Sequence, residues 1–103
     1  MNLEELYALL SGTGIPFAYH HWNEPPAPPF GVYLTPYSNN FAADDVAYLE
    51  VEHVEIELYT EKRDIEAERR IADALTGAGC YFEKSATFVE ALQLYQTVFE
   101  IEV

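Results

Sequence analysis

The sequence predicts an α+β fold in which two helices pack on one side of a mostly antiparallel sheet, with the order α-β-β-β-α-β-β. Apolar residues recur at helical spacing in two segments, one at the N-terminus and one in the second half of the chain. The other segments are rich in β-branched and aromatic residues that alternate with polar ones. Strands that follow one another in runs favour antiparallel pairing with the helices segregated to one face.

The first helix is predicted directly after Asn2. This residue can cap the helix, and Glu5 stands three residues later as the reciprocal partner of a capping box. Gly12 and Gly14 mark its end. The apolar stripe consists of Leu3, Leu6, Tyr7 and Leu10.

Two strands are predicted next, separated by a proline-rich segment. Alternation from Ile15 to Trp22 predicts the first strand, and Phe30 to Leu34 the second, which Pro36 ends or places at an edge. The proline segment, Pro25–Pro29, has PxxP spacing typical of a polyproline II ligand. A rigid connection is favoured instead, because the prolines lie between two strands and cannot offer a hydrogen-bonding ladder to another chain. The composition of Ser38–Asp45 predicts a turn or loop.

In the third strand, Val46–Thr60, the apolar residues change from odd-numbered to even-numbered positions, here called a parity change. Leu49 and Val51 occupy odd positions, whereas the apolar residues after His53 occupy even ones, namely Val54, Ile56 and Leu58. Side chains in a strand alternate with a period of two. Either a β-bulge resets the parity near His53, or the strand buries opposite faces at its two ends.

A second helix is predicted over Asp64–Thr76, with Asp64 as its cap and an apolar stripe of Ile65, Ile71, Ala72 and Leu75. Two last strands are predicted at Cys80–Lys84 and Leu92–Val103. The last one repeats the parity change, because Leu92 and Leu94 are even, whereas Tyr95, Phe99, Ile101 and Val103 are odd.

Length and charge limit the function classes. At 103 residues the chain fits a single domain spanning 1–103. Eighteen acidic against five basic residues give a net charge of −13, which opposes binding to nucleic acid and anionic lipid. The first ten residues lack the basic region of a secretory signal, and no apolar run approaches the ~18 residues of a membrane span. A lone Cys80 fits a reducing compartment, so we expect a cytoplasmic protein with no membrane association.

No motif predicts catalysis, a cofactor or a metal site. His20 and His21 are neighbours, so in a strand they would point to opposite faces, and no spacing typical of a metal site includes His53. Cys80 has no basic neighbour to lower its pKa. Asp44 and Asp45 are interpreted as a solvated loop. We therefore expect a protein that is not an enzyme.

An acidic face is predicted on the third and last strands. It consists of Glu50, Glu52, Glu55, Glu57, Glu100 and Glu102. Such a row either keeps the strands from aggregating in solution or repels a polyanion that moves past it. The sequence leaves both interpretations open.

Three stretches, PPAPPFGVYL, VEIELYTEKRDIEAERRIADAL and LYQTVFEIEV, resemble a family of small tailed-phage and prophage proteins described as minor capsid or tail-completion proteins. Its wider relatives are tail-terminator and head–tail joining proteins. The resemblance covers nearly the whole chain and lies in the order of the helices and strands and in their residue patterns. It implies a ring, often of six copies, at the neck or the end of the tail tube, through which DNA passes. The partners would be copies of the chain and other neck or tail proteins, first in the host cytoplasm and then in the virion.

Two functional hypotheses follow. In a ring, acidic side chains on the inner wall would keep DNA from adhering. The parity changes would place four apolar side chains outside the core of the subunit, where they could contact a neighbouring one: Leu49, Val51, Leu92 and Leu94. Pro28 and Pro29 would hold an edge rigid beside that contact. The alternative is an acidic binding module, such as a DNA-mimic inhibitor of a host nucleic-acid enzyme, which would need carboxylates spaced like phosphates on an outer surface.

Overall fold

The computed structural model describes residues 1–43 and 46–103, with side chains described for 1–36 and 52–103. Its helices are α1 (Leu3–Ser11) and α2 (Ile65–Gly77). Its strands are β1 (Phe17–Tyr19), β2 (Phe30–Ala43), β3 (Val46–Thr60), β4 (Glu83–Val89) and β5 (Leu94–Glu102). The order α-β-β-β-α-β-β confirms the predicted α+β fold. None of the helices in the described ranges is long and apolar enough to cross a membrane.

The five strands form one sheet in the order β1-β2-β3-β5-β4. Only the short β1 runs parallel to its neighbour, β2, and the other three pairs are antiparallel. The register places Tyr33, Ile56 and Phe99 side by side across the middle of the sheet. These residues therefore project from the same face.

Both helices cover that face. Leu6 and Leu10 of α1, with Ile71 and Leu75 of α2, are fully buried in one cluster with the sheet residues. The sheet contributes Phe17, Tyr33, Val54, Ile56, Leu58, Phe99 and Ile101. Burying one Leu or Ile side chain is worth about 1.5–3 kcal/mol, so this layer contributes most of the hydrophobic stabilisation.

Both predicted helix starts are confirmed by their caps. The Asn2 carboxamide oxygen accepts a hydrogen bond from the Glu5 amide at 2.8 Å, and the Glu5 carboxylate accepts one from the Asn2 amide at 3.1 Å. Asp64 caps α2 by accepting from the Ala67 amide at 3.0 Å. The prediction that Ile65 belongs to the buried stripe of α2 is wrong, because this residue is 52% exposed in the first turn.

The loop predicted at Ser38–Asp45 is wrong for the residues that the structure describes. Residues 38–43 continue β2, which pairs with β3 as far as Ala43 opposite Val46, while Asp44 and Asp45 lie outside the described residues. Pro36 does not end the strand. It lies at a register shift between Leu34 and Tyr37, where its missing N–H is tolerated.

The parity change in β3 does not come from a bulge in that strand near His53. Pairing of β3 with β5 is regular from His53 to Thr60, and the extra residue lies on β2, between Leu34 and Tyr37. The predicted orientations of Leu49 and Val51 fall outside the described side chains.

The other strand limits also differ from the predictions. The segment predicted as a strand at Cys80–Lys84 is β4 at Glu83–Val89, and β5 begins at Leu94 rather than Leu92. A tight turn joins them: the Leu92 amide donates to the Val89 carbonyl at 3.1 Å, and Gln93 has a φ of 54°. β1 is shorter than predicted because His20, with a φ of 69°, leaves the extended conformation.

Candidate functional site on the open face of the sheet

The face of the sheet opposite the helices, here called the open face, holds most of the predicted site residues. Register assigns Glu55, Glu57 and Tyr59 of β3 to this face, since they alternate with the buried Val54, Ile56 and Leu58. Their partners across β5 are Glu100, Val98 and Gln96. The open face has an acidic half and an apolar half.

The acidic half, here called the carboxylate row, runs across three strands. Glu55 lies opposite Glu100, and Glu100 lies opposite Glu83 of β4. Glu57 and Glu102 extend the row along their own strands. Like charges placed directly opposite one another are destabilising, so the fold retains this row at a cost.

The predicted acidic residues do not all share this face. Glu52 exchanges backbone hydrogen bonds with Val103 at 3.1 and 2.9 Å, and the regular alternation of β3 puts it on the same side as Val54. The Glu50 side chain lies outside the described ones. Glu83 also joins the row although it was not predicted to: it lay inside the strand predicted at Cys80–Lys84, but only the pairing of β4 with β5 places it opposite Glu100. The period-two alternation of side chains over residues 83–89 could have predicted which residues of β4 share a face with Glu83.

Three side chains in this half have a geometry that a metal ion can use. His53, Glu55 and Glu100 each place one potential ligand atom within 4.8 Å of the others. Imidazole nitrogen and carboxylate oxygen are ligands of zinc and related divalent ions. The search for metal motifs along the chain could not find this trio, because cross-strand register brings Glu100 to the two β3 residues.

His20 and His21 also come together, contrary to the expectation that they point apart. Their Nδ1 atoms lie 3.2 Å apart and their rings meet edge to face at 5.3 Å. The left-handed φ of His20 removes the strand alternation on which the expectation depended. Cys80 lies half-buried against the core.

The apolar half contains a groove of about 580 Å³. Its floor is formed by Phe30 and Val32 of β2 and Tyr59 of β3. Trp22 and the proline segment form one wall, and Leu92 and Leu94 form the other. Three of the predicted interface residues, Pro28, Leu92 and Leu94, therefore meet at one place. Pro29 lines a neighbouring cavity beside Thr60 and Ile65.

Hydrogen bonds and ring contacts fix the shape of the groove. The Trp22 indole N–H donates to the Gly31 carbonyl at 2.9 Å, which holds the ring edge-on to Phe30 with centroids 6.5 Å apart. Phe30 stacks on Tyr59 at 5.3 Å. These contacts give the groove aromatic surfaces whose positions are set before any ligand arrives.

Tyr59 connects the groove to the carboxylate row. Its hydroxyl donates to a Glu57 carboxylate oxygen at 2.8 Å and accepts from the Gln96 amide at 2.8 Å. Burial, together with the bond to Glu57, raises the pKa of Tyr59 to about 12. The phenol therefore stays protonated at neutral pH and remains the donor to Glu57.

Comparison of the chain with protein-family models gives no match, and comparison with curated proteins gives none either. The function is therefore inferred from the groove and the carboxylate row.

Proposed function

We propose that the protein is a non-enzymatic structural subunit of a tailed-phage or prophage neck or tail-completion ring. The observation that supports this proposal best is the division of the open face: a preformed apolar groove lies beside a row of five carboxylates in a chain with a net charge of −13. An apolar surface suits contact with a neighbouring component. A carboxylate surface suits a wall past which a polyanion moves.

The carboxylate row supports the role of a wall. Adjacent strands lie about 4.8 Å apart, so Glu55, Glu100 and Glu83 form a line of charges at close spacing. When the row is repeated around a ring, its field repels phosphates at short range and leaves no cationic site where DNA could adhere. Passage of DNA then meets no tight binding step.

The β2–β3 hairpin supports assembly into a larger structure. β5 ends opposite the middle of β3, with Val103 reaching Glu52, while β2 and β3 continue to pair over 39–43 and 46–51. This two-stranded extension, here called the ribbon, is about 20 Å long at 3.3 Å per residue. A two-stranded hairpin is marginally stable alone in water, so pairing with an adjacent subunit would stabilise it.

A second candidate, the DNA-mimic inhibitor, is favoured by one observation, the clustering of carboxylates on one uncovered face. It differs in its partner. A mimic binds tightly to a basic nucleic-acid enzyme, whereas a ring subunit binds other structural components and repels nucleic acid.

Deletion of the gene from an inducible prophage, followed by electron microscopy of the lysate, tests the proposed function. We expect filled heads without tails or tails of uncontrolled length, and rescue when the wild-type gene is supplied in trans. Rescue with a Glu55→Lys/Glu100→Lys variant should restore attached tails but lower infectivity, because the wall would then hold DNA. Normal infectious particles from the deletion strain would contradict the assignment and favour the inhibitor.

A further inference from the structure

We propose that the groove binds a short segment of a different protein in which an apolar anchor is flanked by Lys or Arg. This inference rests on the proposed function for its use of the groove as an assembly contact, and it goes further by naming the chemistry of the partner. Three features of the protein select this partner: the apolar lining of the groove, the charge around the groove, and the net charge of the chain.

The lining selects an apolar anchor. Trp22, Phe30 and Tyr59 are held by the contacts described above, so they lose little conformational freedom on binding. Leu92 is 54% exposed on the opposite wall, which leaves apolar surface uncovered at the mouth of the groove. Preformed grooves with aromatic walls and a few polar groups are typical of ligand and peptide sites.

The charge around the groove selects cationic flanks. Glu57 and Glu61 are among its lining residues, and the lining includes no Lys or Arg. The carboxylate row continues from Glu57 along the same face. A segment with Lys or Arg on either side of its anchor would meet opposite charge at the groove and would be steered towards it from a distance.

A second copy of the chain is a poorer occupant. Two copies carry −13 each and repel one another. Among the described residues, Arg63 and Lys84 are held by Glu68, and Arg70 lies near Glu66 and the Thr13 carbonyl. The exposed Ile65 has four cations and four acidic residues within five positions on either side, so the segment around it is neutral overall. A neutral or acidic segment would gain no electrostatic attraction from the acidic residues around the groove, Glu57 and Glu61.

The chain carries its own reporter of binding. Its single Trp, Trp22, forms part of the groove wall. Two synthetic peptides without Trp serve as probes: one interleaves Leu and Phe with Lys and Arg, and the other has Glu in place of every Lys and Arg. We expect the cationic peptide to shift the Trp22 emission saturably and the acidic peptide to leave it unchanged, in ~20 mM salt where screening is weak.

Matched variants separate the groove from general charge effects. Leu92→Ser should weaken binding about tenfold or more, whereas Phe88→Ser, which removes another exposed apolar side chain, on β4 and outside the groove, should leave it within about twofold. Glu61→Gln should weaken binding and reduce its dependence on salt. Glu66→Gln, with the same loss of charge at an exposed position of α2 outside both the groove and the carboxylate row, should do neither.

Three outcomes would overturn the inference. Equal binding of both peptides would remove the charge selection, and equal effects of Leu92→Ser and Phe88→Ser would place the contact elsewhere. A Trp22 shift that depends on protein concentration alone, with a matching dimer in sedimentation, would assign the groove to a second copy. The proposed ring function is tested independently, because the prophage deletion experiment uses neither peptide.

Discussion

At the residue scale, Glu68 shows how a carboxylate is kept inside the fold. It lies on α2 with 2% of its surface exposed. Arg63 approaches at 2.6 Å and Lys84 at 3.2 Å. Burial acts to raise the pKa of Glu68, but the hydrogen bonds and charges of Arg63 and Lys84 outweigh it, and the pKa is held below its usual range. One buried charge thus ties α2 to the segment before it and to β4.

The depressed pKa predicts a pH dependence of stability. Because the folded pKa lies below the unfolded value of 4.5, the contribution of Glu68 is fully present above about pH 4.5 and is lost as pH falls through the folded pKa. Glu68→Gln should lower the free energy of unfolding by about 1–3 kcal/mol at neutral pH, and its difference from the wild type should shrink as the pH falls below 4.5. Urea titrations across this range measure it.

The control for that prediction is Glu66→Gln on the same helix. Glu66 is 83% exposed and lies 3.7 Å from Arg70, so its loss should cost at most about 0.5 kcal/mol. Equal effects of the two variants would show that the buried position of Glu68 does not matter.

Leu92, on the wall of the groove, gives a second prediction at this scale, and the core residue Leu58 serves as its comparison. Leu92 is 54% exposed in the β4–β5 turn, and Leu94 is half-buried beside it. Leu92→Ser should change the free energy of unfolding by less than about 0.5 kcal/mol. Leu58→Ala in the core should cost about 2–5 kcal/mol. Chemical denaturation compares them, and a large loss from Leu92→Ser would mean that the turn supports the core.

At the element scale, the parallel pairing of β1 with β2 depends on one glycine. Gly31 lies opposite Phe17 in the register. A Cβ atom at position 31 would come within 2.7 Å of Phe17 Cδ1 and Cζ and closer still to Cε1. The Phe17 ring therefore occupies the space that any side chain at position 31 would need, and the same Gly31 offers its carbonyl to Trp22.

Gly31→Ala is expected to destabilise the protein by about 1–3 kcal/mol, because the Phe17 ring must leave its buried site. Gly77→Ala, at the end of α2 with open space around it, should be neutral or stabilising by up to about 1 kcal/mol. Thermal unfolding measures both. A cycle with Phe17→Ala completes the test: additive effects of Gly31→Ala and Phe17→Ala would show that the two positions do not compete for space.

The ribbon is the other feature at this scale. Its strands pair with each other beyond the end of β5, because the described pairing of β3 with β5 begins only at His53. The molecule is accordingly elongated, 50 Å by 29 Å by 23 Å. An extension of this kind is suited to a contact between subunits.

At the scale of the whole molecule, net charge dominates. The chain carries −13, and two of its five cations are used internally to hold Glu68. No basic stripe is present among the described side chains to exchange counterions with phosphate. The acidic subunits also repel one another, so contact with a tail or neck component could supply the free energy that closes a ring.

We therefore expect no measurable affinity for duplex DNA. Fluorescence anisotropy of labelled duplex in ~20 mM salt, where non-specific binding is strongest, is the measurement. The Glu55→Lys/Glu100→Lys variant changes the net charge only to −9 but places cations on the wall, so any new binding would assign the repulsion to the carboxylate row. Saturable binding by the wild type would contradict the role of a DNA-repelling wall.

The sequence by itself determined the element order, the helix caps and the acidic character of the protein. Caps depend on side chains within three residues of one another, and apolar periodicity is a local property, so both can be found along the chain. Composition fixes net charge without any structure. Strand limits were less accurate: Ser38–Ala43 has the composition of a loop, yet pairing with β3 keeps it extended.

Only the tertiary structure decided which side chains meet. Cross-strand register places Glu83, Glu100 and Glu55 in one row and Glu52 on the other face, and a backbone turn at His20 brings Trp22 over Phe30. The groove joins Pro28 to Leu92 across more than sixty residues of chain. Spacing along a sequence carries no information about such pairs, because the register and the turns that create them are selected by burial of the opposite face against the two helices.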